Sequence, residues 1–205
     1  ARIAMPRTTS KMPSSAASAE QNCHRSSAPM EFILRPWQAG DLVSLVQYAN
    51  DRTVADNMMD AFPYPFTPSD GHRFLERFMA HDPQLFLAIS VNGIAVGAVG
   101  IHPDDDVYRR NAELGYWIGA PFRGKGIMTL AIQQATARAF LEFPHIDRIY
   151  ARPFGSNTAS QRVLEKAGFI LEARLTGTFI KHGKIEDELI YAFHRVHGTS
   201  MGRTN

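Results

Sequence analysis

Two apolar, β-branched segments, residues 85–91 and 94–101, are joined by the dipeptide Asn92-Gly93. Both residues of this dipeptide tolerate positive φ, so it favours the two-residue turn that connects antiparallel strands. A third strand is predicted over residues 112–118, after a short polar loop. The middle of the chain is therefore predicted to form an antiparallel sheet, against which the remaining segments must pack.

Helices and short strands alternate in the rest of the chain. Asp41 precedes apolar residues at helical spacing, and Thr67-Pro68 supplies a cap and a first-turn proline for a second helix. Further helices are predicted over residues 128–141 and 157–166, and further strands over residues 31–34, 148–152, 169–175 and 185–193. The pattern predicts the α+β class, with a mostly antiparallel central mixed sheet flanked by helices.

The ends of the chain differ from its middle. A length of 205 residues favours one domain with tails, and we expect that domain over residues 31–197. Residues 1–30 are rich in Ser and Ala and almost lack aliphatic side chains, which predicts a disordered tail, and residues 198–205 form a second one. The lone Cys23 fits a reducing compartment such as the cytoplasm, although the Arg- and Ser-rich start also resembles a mitochondrial transit peptide.

Charge and composition argue against several classes of protein. The chain has 22 basic and 20 acidic residues, but residues 31–197 hold 17 basic against 19 acidic ones. A body without basic excess is a poor match for nucleic acid, whose backbone binds clustered cations. Apolar runs fall far short of the roughly 18 residues that a membrane span needs. With a single cysteine and no histidine pair beside it, no metal site is expected.

A glycine-rich turn separates the third strand from the helix that begins near Met128. Gly124 and Gly126 lack Cβ atoms, so the amide groups of this turn can converge on one point. The helix directs its unpaired N–H groups and the positive end of its dipole to the same place. The combination favours a phosphate or pyrophosphate, with Arg123 and Lys125 adding positive charge. The alternative is an ordinary turn between a strand and a helix.

A second motif begins 31 residues after Gly126, where Asn157 and Ser160 open a helix that ends near Gly168. Taken alone, Asn157 has the features of a helix cap and Ser160 those of a solvent-facing residue.

Together the two motifs resemble those of the GNAT superfamily of N-acetyltransferases, in particular its RimJ/RimL-type branch. The shared segments are residues 112–119 (AELGYWIG), residues 123–128 (RGKGIM), the Asn157-x-x-Ser160 pair, and residues 165–169 (EKAGF). The resemblance extends over residues 31–195. It implies a sheet that is splayed at a cleft for acetyl-CoA, which serves as co-substrate without a metal.

In this family the backbone of the glycine-rich segment wraps the pyrophosphate of acetyl-CoA, and pantetheine pairs with the splayed strand. The residue that matches Asn157 bonds the pantetheine arm, and the one that matches Ser160 lies near the thioester sulfur. The residues implied to bind the coenzyme are Trp117, Ile118, Arg123, Gly124, Lys125, Gly126, Ile127, Met128, Asn157 and Ser160.

The implied reaction is direct attack of a primary amine on the thioester in a ternary complex, with no covalent intermediate. A backbone N–H near Ile118 or Gly119 is the expected donor to the oxyanion.

Two positions depart from the family. Leu164 stands where many members carry a tyrosine acid, and Phe179 stands where RimL-like proteins carry a glutamate.

Because of these departures, the catalytic residues stay open. Glu113 is the first candidate for the general base, with a structural carboxylate as the alternative, and Ser160 is the candidate at the leaving thiolate. His102 is the second candidate for the base, ahead of His182 and Glu186.

The acceptor is expected to be an amine, carried by a protein N-terminus or a small molecule. Its pocket is expected between the first two helices and the last hairpin. Aromatic residues cluster there, either as pocket walls or as part of the core: Phe62, Tyr64, Phe66, Phe74 and Phe78. The acidic run of residues 104–106 is either an attractant for a cationic acceptor or a solvated loop. The other hypothesis is a CoA-binding sensor or scaffold that has lost catalysis. We expect a monomer or a homodimer.

Overall fold

The computed structural model describes residues 30–80 and 85–195. Its helices are α1 (Leu42–Ala49), α2 (Arg52–Ala55), α3 (Pro68–Met79), α4 (Ile127–Glu142) and α5 (Thr158–Ala167). Its strands are β1 (Ile33–Arg35), β2 (Phe86–Val91), β3 (Ile94–Pro103), β4 (Asn111–Ile118), β5 (Arg148–Ala151), β6 (Ile170–Lys181) and β7 (Lys184–His194). The predicted tails, residues 1–30 and 198–205, lie outside the described residues apart from Met30.

The described strands form one sheet in the order β1-β2-β3-β4-β5-β7-β6. All neighbours are antiparallel except β4 and β5, which run parallel because α4 crosses between them. Asn92 and Gly93 both have positive φ, 50° and 83°, so the predicted hairpin between β2 and β3 is confirmed. The mixed, mostly antiparallel α+β architecture is confirmed as well.

Helices cover both faces of the sheet. A larger core cluster, with Val99, Leu114, Ile132 and Leu164 among its members, lies between the sheet and α4 and α5. A smaller cluster, with Ala98 and Trp117, lies between the sheet and α1 and α3. We call these two sides the α4 face and the α1 face. Each buries the apolar stripe of its helices, which explains why both faces of the central strands are apolar.

The sheet opens beside β4. That strand pairs with β5 only at Asn111, Ala112 and Glu113, although it continues to Ile118. Beyond Glu113 the two strands part, and the opening between residues 114–118 and the segment after β5 is called the strand gap below. The splay that the sequence resemblance implies is therefore present.

Some elements differ from the sequence-based predictions. The four-residue helix α2 was not predicted, because its sequence is too short to show a periodic apolar stripe. The strand β6 is longer than predicted and extends to Lys181, with irregular pairing to β7 around Gly177. Among the described residues, no helix is long and apolar enough to cross a membrane.

Candidate functional site

The glycine-rich turn lies at one end of the strand gap and leads into α4. Gly124 and Gly126 adopt φ of 72° and 78°, values that strain a residue with a Cβ atom. A Cβ at either position would meet no neighbouring atom, so glycine is required here by backbone conformation rather than by crowding. The turn and the first residues of α4 therefore present backbone amides on an open surface.

The N-terminus of α4 is suited to an anion. This helix has 16 residues, and no side chain caps its first turn within the described part of the chain. Ile127 and Met128 are buried in the larger core cluster, so only their amide groups can contact a ligand. Lys125 is exposed, with its Nζ 5.6 Å from the centre of the Phe122 ring. Unpaired amides and the helix dipole together favour a phosphate group at this position.

The side chain of Arg123 contacts residues at the beginning of α2. Its guanidinium donates to Asp51 at 3.0 Å and to Thr53 at 2.6 Å, at the beginning of α2. Its amide donates to the carbonyl of Ala120. The side chain of Arg123 thus holds the turn against α2, and its contact with the coenzyme stays a prediction.

Asp51 is the N-cap of α2 and accepts from Thr53 as well as from Arg123. Burial opposes ionisation of Asp51, but the hydrogen bonds from Thr53 and the charge of Arg123 outweigh it and lower the pKa of this carboxyl below its ordinary value.

Backbone groups of β4 line the strand gap. The N–H of Gly119 donates to the carbonyl of Val96 on β3 at 2.8 Å. Hydrogen-bonded and non-hydrogen-bonded pairs alternate along an antiparallel ladder, so Trp117 is also bonded to β3. Tyr116 and Ile118 consequently present their N–H and C=O groups to the gap.

This geometry shows where the groups of Gly119 and Trp117 lie, while the contact of Trp117 with the coenzyme stays a prediction. The N–H of Gly119 is bonded within the sheet and is not available to an oxyanion. Trp117 has its backbone bonded to β3 and its ring buried in the smaller core cluster, so it does not face the gap. The carbonyl of Ile118 accepts from Nε of Arg123 at 3.2 Å, which leaves the N–H of Ile118 as the donor beside the gap.

The N-terminus of α5 lies on the other side of the gap. Asn157 is its N-cap, because Oδ1 accepts from the N–H of Ser160 at 3.1 Å. The amide nitrogen of the Asn157 side chain has no partner among the described residues and can donate to a ligand. The Oγ of Ser160 lies 2.5 Å from the phenol oxygen of Tyr116, so a hydrogen bond joins α5 to β4. Leu164, one turn further on, is fully buried in the larger core cluster.

A group of charged side chains lies on the α1 face, where β4, β5 and β7 meet. Glu113 is half-buried and is coupled to the charges of Arg152, Asp104 and Glu188. Burial raises the pKa of Glu113; the positive charge of Arg152 opposes the shift, and the two carboxylates add to it. Arg152 itself donates to Glu188 at 2.7 Å, so it does not fully neutralise Glu113. Glu113 is therefore a carboxyl whose proton affinity suits general base catalysis.

Tyr150 and Asp104 border this charged group. The phenol of Tyr150 donates to Asp104 at 3.2 Å, and a cavity of about 510 Å³ opens beside them, lined also by Pro103, Asp105 and Tyr108. Burial and the carboxylates of Glu113 and Asp104 raise the pKa of Tyr150 to about 12. His102 pairs with Glu113 across the β3–β4 ladder, and its ring lies 5.4 Å from that of Phe86.

The aromatic residues considered for an acceptor pocket belong mostly to the core. Phe66 is buried, Phe74 and Phe78 contact Phe86, and Phe62 packs against Phe66. Tyr64 differs from them because half of its surface is exposed.

The hairpin of β6 and β7 reaches over the α1 face. Lys181 donates to the carbonyl of Met58 at 2.8 Å and to Asp60 at 2.7 Å, and His182 contacts Asp56 at 2.9 Å. The hairpin tip is thus joined to the segment between α2 and α3. Sequence analysis missed this contact because more than 120 residues separate the partners.

Phe179 packs its ring on that of Phe154, with the ring centroids 4.4 Å apart. It therefore takes part in an apolar contact. Glu186 is its partner in the β6–β7 ladder. Arg152 and Tyr116 were also missed as site residues. The motif that carries Tyr116 was noted, but no sequence signal links it to Ser160. The described residues contain no group of three His, Cys, Asp or Glu that could hold a metal ion.

Comparison with known proteins agrees with this geometry. The domain model described as an acetyltransferase (GNAT) domain matches residues 31–170. Over 101 residues the chain is 33% identical to a Bacillus subtilis protein named "Putative ribosomal N-acetyltransferase YdaF", which covers 49% of this chain and 54% of that protein. The chain thus aligns with about half the length of this curated relative.

Solved structures share the fold. The microcin C7 self-immunity acetyltransferase MccE has a TM-score of 0.68 and 25% identity, over 80% of this chain and 93% of that one. The RimL ribosomal L7/L12 α-N-protein acetyltransferase has a TM-score of 0.69 and 19% identity, over 81% and 96%, and shows the fold alone. Since the domain model also covers well over half of the chain, we conclude that this protein belongs to the acetyltransferase (GNAT) family.

Proposed function

We propose that the protein is an acetyl-CoA-dependent N-acetyltransferase of the RimJ/RimL type, which transfers the acetyl group to a primary amine by direct attack in a ternary complex. The observation that carries the proposal is the strand gap, which joins an anion site on the α4 face to a carboxylate of raised pKa on the α1 face. MccE was solved with acetyl-CoA and AMP, and RimL with coenzyme A, which supports the choice of donor.

The coenzyme would be held mainly by backbone groups. The amides of Gly124, Lys125 and Gly126 and of the first turn of α4 would contact the pyrophosphate. The N–H and C=O groups of Tyr116 would pair with pantetheine as an added strand does. The side-chain amide of Asn157 would donate to the same arm. None of these contacts requires a charged side chain, which agrees with the use of Arg123 elsewhere.

The amine would approach from the α1 face, where Glu113 would accept its proton. An α-amine of pKa about 7.8 is about 14% neutral at pH 7, whereas a lysine-type amine of pKa about 10.4 is about 0.04% neutral. The free-energy cost of deprotonation is about 1.2 kcal/mol for the first and about 4.6 kcal/mol for the second. A single carboxylate, acting directly or through one water, is sufficient for an α-amine.

The remaining steps use groups beside the gap. Attack of the neutral amine would place negative charge on the carbonyl oxygen, and the N–H of Ile118 beside the gap would donate to it. When the C–S bond breaks, its electron pair goes to sulfur, and Ser160 would donate a hydrogen bond to that atom. The acceptor would be a protein N-terminus or a small amine, and the protein would act in the cytoplasm as a monomer or homodimer.

The test combines binding and turnover. Calorimetry of the full chain with coenzyme A should show saturable binding at one site. Release of free thiol from acetyl-CoA should then be measured with DTNB against a panel of peptides with free N-termini, amino acids, amino sugars and diamines. Turnover with any amine supports the enzyme. Saturable binding without turnover on the whole panel would favour a CoA-binding sensor or scaffold, for which Leu164 and Phe179 are the evidence. No binding would exclude both.

A further inference from the structure

Tyr116 has an unusual place in the strand gap. It is the third residue after β4 leaves β5, and strand alternation puts its side chain on the α4 face with Leu114. Its side chain packs against the larger core cluster, and its phenol oxygen lies 2.5 Å from Oγ of Ser160, 44 positions later in the chain. This single hydrogen bond joins β4 to the first turn of α5 beside the strand gap.

The direction of that hydrogen bond matters for Ser160. A serine hydroxyl has one proton and rotates freely unless a neighbour fixes it. A phenol is a stronger acid than an alkyl alcohol and is the better donor of the pair. Burial raises the pKa of Tyr116 well above its ordinary value, so the phenol keeps its proton at any working pH. With Tyr116 donating, Ser160 uses a lone pair as acceptor, and its own proton must point elsewhere.

The rest of α5 limits where the proton of Ser160 can go. The N–H of Ser160 is bonded to Asn157, so the first turn of α5 is held in place and the hydroxyl lies beside the gap. Leu164 supplies no second hydroxyl one turn further on, and the nearby phenol of Tyr191 donates to Glu165 at 2.9 Å instead. Among the described residues the Ser160 hydroxyl has Tyr116 as its one hydrogen-bond partner, so its proton is free to point into the gap.

We propose that Tyr116 is a positioning residue, whose phenol donates to Ser160 and so directs the serine proton at the sulfur of the acyl donor. This inference rests on the proposed function. As the C–S bond breaks and its electron pair moves to sulfur, Ser160 donates a hydrogen bond to the developing thiolate. Two protons leave the amine nitrogen: Glu113 takes the first from the ammonium and passes it to bulk water before attack, and it takes the second as the tetrahedral intermediate collapses. Tyr116 and Ser160 retain their protons, and coenzyme A leaves as the thiolate.

The test is a double-mutant cycle with Tyr116→Phe and Ser160→Ala, measured as kcat and as KM for acetyl-CoA. Tyr116→Phe should lower kcat by about 3- to 10-fold, the worth of one oriented hydrogen bond, and should change KM by less than about twofold. In the Ser160→Ala background the same substitution should have no further effect, because its target is gone. Independent, multiplying effects or an unchanged kcat for Tyr116→Phe would overturn the proposal.

Tyr191→Phe is the matched control, since it removes another phenol hydroxyl of the same core cluster that contacts Glu165 and not Ser160. It should leave kcat unchanged even if it lowers the melting temperature as much as Tyr116→Phe does. If Tyr116→Phe fails to fold, Ser160→Thr replaces it: this variant keeps a hydroxyl and should retain more kcat than Ser160→Ala, and equal loss would reject the proposal. Wild-type turnover is measured first, so its absence would reject the proposed function instead.

Discussion

The two faces of the sheet contribute to the site in different ways. On the α4 face, the contacts come from backbone amides of residues 124–128 and from Asn157, all within two short segments. On the α1 face, the candidate groups are the side chains of Glu113 on β4, Arg152 directly after β5 and Glu188 on β7. Backbone contacts depend on local conformation, whereas the charged group depends on the tertiary fold. The anion site proposed on the α4 face therefore depends on adjacent residues, whereas the general base proposed on the α1 face depends on segments that only the fold brings together.

The strongest test of this comparison is Glu113→Gln. If the α1 face supplies the general base, this substitution should lower kcat by about 10²- to 10⁴-fold while calorimetry shows unchanged affinity for coenzyme A. The wild-type rate should show an acidic limb above the ordinary carboxyl pKa, because burial raises the pKa of Glu113, and the variant should lose that limb. If the acidic limb of the rate–pH profile persists in Glu113→Gln, the general base is His102 or water.

Glu188→Gln is the control for the charge of the α1 face. It removes a carboxylate that raises the pKa of Glu113 and releases Arg152 from its 2.7 Å contact. The acidic limb should therefore move to lower pH while kcat on its plateau changes little.

The second prediction separates ligand contact from folding at Asn157. Asn157→Ser keeps a good N-cap but removes the side-chain amide, so KM for acetyl-CoA should rise by up to about tenfold with little change in melting temperature. Asn157→Ala should raise KM as much and also lose about 1 kcal/mol of cap stability. Equal KM values for Asn157→Ser and the wild type would show that Asn157 is a helix cap only.

The third prediction tests backbone conformation on the α4 face. Gly126→Ala should lower the melting temperature by about 2–6 °C, since alanine at positive φ costs about 1–2 kcal/mol, and should weaken coenzyme A binding several-fold. Gly40→Ala is the control, because Gly40 has neither positive φ nor a close neighbour. If both variants bind coenzyme A equally well, the amides of the turn are not the anion site.

The smallest effect is expected for Arg123→Gln, which removes a link between the glycine-rich turn and α2. Since Arg123 contacts Asp51 and Thr53, coenzyme A affinity should stay within about twofold. A partly exposed ion pair contributes about 0–1 kcal/mol, so the melting temperature should fall by at most about 3 °C at pH 7. A large loss of affinity would return Arg123 to the coenzyme site.

The difference in melting temperature between the wild type and Arg123→Gln should become smaller at low pH. The lowered pKa of Asp51 means that its contribution to stability is present above the ordinary value of 3.8 and is lost as the pH falls through the folded-state pKa. The wild type and Arg123→Gln should therefore converge in melting temperature below pH 3.8.

The same comparison explains what the sequence could predict. The hairpin at Asn92-Gly93, the glycine-rich turn and the cap at Asn157 each depend on a few adjacent residues, so their sequence signals are local. The partners of Arg123, the Tyr116–Ser160 hydrogen bond and the contact of Lys181 with Met58 join residues 44 to 123 positions apart. Such pairs arise from packing, and a single sequence carries no signal for them. At Trp117 the motif predicts the strand but not which of its backbone groups face β3.

The alternation of side chains along β4 has a consequence for how this sequence can vary. Glu113 and Trp117 point to one side of the sheet and Leu114 and Tyr116 to the other, over a stretch that pairs with β3 without a bulge. Inserting or deleting a single residue here would exchange the two sets, moving the carboxylate under α4 and the phenol under α1. A point substitution leaves this alternation intact, whereas a one-residue length change before Glu113 would displace Glu113 and Tyr116 together.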